Sequence, residues 1–95
     1  MNMDDVLEKL SAYVSAMSDA LANDGNANDR PLLTKHLAAA AEMYAQLYKH
    51  QDVSAIHDLV QTEICGHGWS FIAGSSGESI ATKWVAFTKA AGVEQ

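Results

Sequence analysis

The apolar residues near the N-terminus constrain this chain most: Leu7, Leu10, Val14, Met17 and Leu21 recur at alternating intervals of three and four. An α-helix turns about 100° per residue, so this spacing gathers the five side chains on one stripe. Val6, Tyr13 and Ala20 widen that stripe, while Glu8, Ser11, Ser15, Ser18 and Asp19 fall opposite. A helix so patterned buries its stripe only by packing lengthwise on another helix. The spacing predicts a helix from about Asp4 to Asn23, with Asp4 and Asp5 at the positive end of its dipole.

Three further segments repeat the theme. Asn23-Asp24-Gly25-Asn26-Ala27-Asn28-Asp29 is rich in turn formers. Pro31 then suits the first turn of a second helix, with Asn28 or Asp29 as its N-cap, running to about His50. Leu33, Leu37, Ala40, Tyr44, Leu47 and Tyr48 share one face of that helix. A third helix is expected after Asp52, ending near Gly66, with Val53, Ile56, Leu59, Val60 and Ile64 as its stripe. A fourth runs from about Glu78 or Ser79 to Ala91 on Ile80, Trp84, Phe87 and Ala91, with Gly92 just beyond. Between the last two lies residues 66–77, holding four of the six glycines together with Trp69, Phe71 and Ile72. The expected fold is all-α: a single domain over residues 1–95, a small four-helix bundle-like unit with a Gly/aromatic loop before the last helix. Sixteen alanines favour helix and close helix approach while contributing little burial each.

Charge narrows the partners. The net charge is −6, against an ordinary nucleic-acid binder, because phosphate contacts need Lys or Arg. Residues 1–29 carry six acids against Lys9, and residues 51–78 carry Asp52, Asp58, Glu63 and Glu78 with no Lys or Arg. Two acidic blocks of this kind steer a protein toward a basic partner. One cysteine, Cys65, excludes an intramolecular disulfide. The acidic start, MNMDDVLEKL, lacks the basic and apolar regions of a signal peptide, and no stretch approaches the roughly 20 apolar residues that span a bilayer. The expected location is the cytoplasm, with no membrane contact.

The candidate chemistries fail on spacing. His36, His50, His57 and His67 with Cys65 offer no CxxC, HExxH or HxxxH pattern. The expectation is surface or helix-end histidines, a buried structural Cys65, and no metal or cofactor. Asp24, Asn26 and Asn28 match the first ligands of a calcium loop, but Asp29 replaces the required glycine and Lys35 the final glutamate. Neither Ser70 nor Ser76 has the glycine two residues on that a nucleophile elbow requires. Gly74-Ser75-Ser76-Gly77 lacks the Lys of a phosphate loop, and Glu78 repels phosphate. It reads as a flexible lead-in to the last helix. Glu63 falls among Ile56, Leu59 and Val60 on the wheel, where a carboxylate must reach solvent, shift its pKa or meet a partner.

The residues expected to bind a partner are therefore Trp69, Phe71, Ile72, Asp52, Asp58, Glu63 and Glu78. Trp69, Phe71 and Ile72 admit two roles, a plug at one end of the bundle or a binding patch. The chain reads as a small non-enzymatic acidic interaction protein: an inhibitor, immunity protein or adaptor of bacterial or phage type. Its partner is a protein with a basic surface, including one that normally holds nucleic acid. The alternative is a self-associating module, a homodimer through the first two helices with Met43, Tyr44 and Tyr48 widening the stripe. The third is a small enzyme or metal-binding protein using His57, Glu63, Cys65 and His67.

Overall fold

A computed structural model describes residues 2–23, 30–64 and 75–93, with the side chains of 62–64 and 75–77 outside that description. The described residues form four α-helices and one 3-10 turn: α1 (Met3–Ala22), α2 (Arg30–His50), the turn Val53–Ile56 running into α3 (His57–Ile64), and α4 (Ser75–Ala91). The fold class is all-α, as the periodicity predicts.

The ends explain the boundaries. Asn2 caps α1, its side-chain oxygen accepting from the Asp4 amide at 3.0 Å, which relieves one of the unsatisfied amides at a helix start. Asp5 and Lys9, at 3.9 Å, form an i,i+4 pair oriented with the dipole. α2 stops at Gln51, whose φ of 55° lies in the left-handed region and whose amide donates to the Leu47 carbonyl at 2.8 Å. α4 ends on Gly92, at φ 71°, where the Gly92 and Val93 amides donate to the Lys89 and Thr88 carbonyls. That pair of reversed bonds is a Schellman motif, and it needs the left-handed residue that glycine supplies at least cost.

Helix α1 is the middle of the molecule. It packs against α4 and against α2, and the 3-10 turn and α3 pack on α2. At about 1.5 Å per residue α1 and α2 are each about 30 Å long, which accounts for the long axis of 37 × 22 × 20 Å. Val6, Leu10, Tyr13, Met17 and Ala20 of α1 meet Leu33, Ala40, Met43 and Leu47 of α2, Ile56 and Val60, and Ile80, Phe87 and Ala91 of α4 in one buried cluster. Trp84 bridges the first and last helices, its ring 4.9 Å from Tyr13 and 5.5 Å from Phe87, both tilted. Tilted aromatic contacts at such distances add to the area they bury.

Four details depart from the sequence reading. The buried seam of α1 is Val6, Leu10, Tyr13, Met17 and Ala20, with Leu7, Val14 and Leu21 half-buried beside it. The seam of α2 is likewise rotated: His36 and Met43 are buried, whereas Tyr44 and Tyr48 are exposed. The segment after Asp52 opens as a 3-10 turn, because Asp52 pins the Ser54 amide and the Ala55 amide closes on the Asp52 carbonyl at 3.2 Å. And α4 begins at Ser75, so Ser75, Ser76 and Gly77 belong to its first turn instead of leading in to it.

Candidate functional site

Of the seven residues expected to meet a partner, three are described with their side chains. Asp52 is the exposed N-cap of the 3-10 turn. Its Oδ1 accepts from the Ser54 amide at 3.0 Å. The backbone and hydroxyl of Ser54, with His50 nearby, hold its carboxyl below the ordinary value of 3.8. Donors that bond only the ionised form favour it, so Asp52 keeps its negative charge in mild acid. Asp58 stands six residues on in the first turn of α3, its side chain fully in solvent at 106% relative exposure. Its Oδ1 lies 3.4 Å from Nδ1 of the exposed His57, a pair too wet to contribute much stability. Glu78 is exposed in the first turn of α4, where its carbonyl accepts from the Thr82 hydroxyl at 2.9 Å.

Glu63 lies in α3, its side chain outside the described residues. Trp69, Phe71, Ile72, Cys65 and His67 lie outside the described residues, as does the Asp-rich segment 24–29. Asp52 and Asp58 thus share one short helical run, and Glu78 belongs to a separate helix.

Beside Asp52 a shallow depression of ≈ 410 Å³ is lined by Gln46, His50, Asp52, Ser54 and Ala55. Histidine, carboxylate and hydroxyl meet here, yet their bonding is that of a helix cap. A nucleophilic serine donates to a histidine that a carboxylate orients. Here the Ser54 donors turn to the carboxylate itself. What the depression offers a ligand is a fixed negative charge and exposed polar groups.

His36 corrects the expectation that the histidines lie at the surface or at helix ends. It sits in mid-helix, 2% exposed, between Leu33 and Ala40 on the buried seam of α2. Its place at the i+3 position of that seam carries it inward whatever its polarity. His50 and His57 are exposed. Among the described residues no three of His, Cys, Asp and Glu converge as a metal site, and no helix is long and apolar enough to cross a membrane.

The structure separates one surface that the sequence reading merges with the core stripe. Arg30, Thr34, Leu37, Ala41, Tyr44 and Tyr48 recur at intervals of 4, 3, 4, 3 and 4, about 100° around α2 from its buried seam. Five of the six are exposed and Leu37 is half-buried, with Tyr44 at 39% and Tyr48 at 67%. The spacing places Leu37, Tyr44 and Tyr48 on the apolar face and, for the homodimer alternative, sets the two tyrosines beside Met43; the structure buries Met43 and leaves the tyrosines exposed. Comparisons with protein-family models, with curated proteins and with solved structures found no match to this chain.

Proposed function

We propose that this chain is a small non-enzymatic interaction protein that seats an acidic edge on a basic surface of a protein partner. The observation carrying this reading is the run from Asp52 to Asp58. Asp52 is held ionised by the Ser54 donors, Asp58 projects fully into solvent, and no Lys or Arg occurs between residues 51 and 78. Fixed, exposed carboxylates without internal cations attract a basic surface and speed the encounter. Glu78 and Glu63 belong to the same acidic block of the sequence. A partner that normally holds nucleic acid fits this chemistry, the carboxylates standing where phosphates would. Inhibitors, immunity proteins and adaptors act by occupying a surface in this way.

The test starts with affinity capture on the full chain from its native host, followed by binding kinetics with the captured protein. The proposal expects association to slow steeply between about 50 and 500 mM salt, as screening shortens the reach of surface charge. It also expects the double variant Asp52→Asn/Asp58→Asn to associate more slowly, with its helical content intact. A complex indifferent both to salt and to that variant overturns the acidic-edge reading.

A further inference from the structure

We infer that the second seam of α2 is a self-association surface, on which a second copy of this chain lies antiparallel. The intervals 4, 3, 4, 3, 4 read the same in both directions. An antiparallel copy therefore aligns all six residues of its own seam in one register, with paired residue numbers summing to a constant. That register sets Arg30 against Tyr48 of the second copy, Thr34 against Tyr44, and Leu37 against Ala41, each pair occurring twice about the symmetry axis.

Three properties of those pairs favour the arrangement. Each sets a long side chain against a shorter one or against a ring it can cover, which lets two helices approach closely along a seam. Arg30 over the ring of Tyr48 is a cation on an aromatic face, attractive and sharply directional. The seam itself contains no carboxylate, so in a chain of net charge −6 this strip escapes the general repulsion between copies. Antiparallel α2 helices also set their dipoles head to tail.

The exposure pattern is the independent physical sign. Tyr48 at 67% and Tyr44 at 39% are two of the three large apolar side chains exposed among the described residues. They stand one turn apart on one flank of α2, and Leu37 continues the line two turns below Tyr44. His50 and Gln46, which line the depression beside Asp52, fall on the opposite flank by the same wheel. Self-association and the acidic edge thus use different faces, and either reading can fail without the other.

Sedimentation velocity on the full chain, from about 5 to 500 µM in 0.15 M salt, decides the matter, with circular dichroism on every variant to check folding. The inference expects a monomer–dimer equilibrium in that range, typical of a modest interface. Tyr48→Arg sets arginine against Arg30 of the second copy and weakens the dimer tenfold or more. Adding Arg30→Glu to that variant creates two opposite-charge pairs and restores it. A monomer throughout, or a dimer unaffected by Tyr48→Arg, overturns the proposal. Failure of Arg30→Glu to rescue overturns the register and the proposal with it. If Tyr48→Arg changes the helical signal, Tyr48→Ser serves instead and must likewise weaken association.

Discussion

The α1–α4 contact and the outer flank of α2 are built from the same kinds of residue and meet opposite fates. Tyr13, Trp84 and Phe87 interlock at 4.9 and 5.5 Å across α1 and α4, and Tyr13 and Phe87 are buried. Tyr44 and Tyr48 lie on an equally regular helical line, yet they remain in solvent. The difference lies in what is packed on each side. The buried seam of α2 faces α1, the 3-10 turn and α3. Among the described residues its flank 100° away has no helix upon it, as the exposure of Arg30, Thr34, Ala41, Tyr44 and Tyr48 records. An amphipathic helix can carry two seams, and one small domain closes only one of them.

Truncation breaks the comparison most directly. Phe87→Ala removes a fully buried ring and is expected to cost about 3–5 kcal/mol. In a domain this size each kcal/mol shifts Tm by about 4–8 °C, so thermal or urea unfolding will read it easily. Tyr48→Ala on the open flank is expected to stay within about 0.5 kcal/mol when stability is measured at low protein concentration. Equal losses from the two would mean that the α2 flank belongs to the core.

The two left-handed helix ends sharpen the contrast at smaller scale, and they run in opposite directions. Gly92, at φ 71°, has open space around it, so that a Cβ there would meet nothing within 4 Å. Gly92→Ala therefore meets only the backbone penalty of the left-handed region, about 1–2 kcal/mol. Gln51 already carries that penalty at φ 55°. Gln51→Gly is expected to stabilise by about 0.5 kcal/mol after the extra freedom of glycine in the unfolded chain is subtracted. Denaturant midpoints for the pair should move oppositely.

The smallest effect belongs to Asp52. Its folded pKa lies below the ordinary 3.8, chiefly through the Ser54 amide. The stability it contributes is therefore complete above the ordinary value and lost as pH falls through the lowered one. Asp52→Asn keeps a capping oxygen but cannot titrate. The stability difference between the two proteins should accordingly change between about pH 5 and pH 2 and stay flat above it. A difference that changes only above pH 5 would assign the titration to another group.

The cap at Asp52 and the acidic composition around it were legible in the sequence, for a simple reason. Charge and capping are local: Asp52 precedes its turn by one residue, Asp58 enters the first turn of α3, and the stretch between 51 and 78 lacks cations by composition. The α2 flank was harder to see because both of its tyrosines also fit the edge of a broad apolar stripe. Helical wheels rank angles, and a rotation of a few tens of degrees decides whether Leu37–Tyr44–Tyr48 or His36–Met43 faces inward. His36 shows the cost of that ambiguity, since polarity alone sends a histidine to the surface.

By itself, then, the chain's pattern of apolar intervals, its caps and its glycine at 92 determined that four helices form and roughly where they stop, since these depend on neighbours within one or two turns. Only the tertiary structure decided which ridge of each helix is covered. That outcome depends on α1 lying between α2 and α4 and on α3 resting on α2. Burial is a property of the surfaces that meet, and the hydrophobic contribution of any residue is realised only where another element removes it from water.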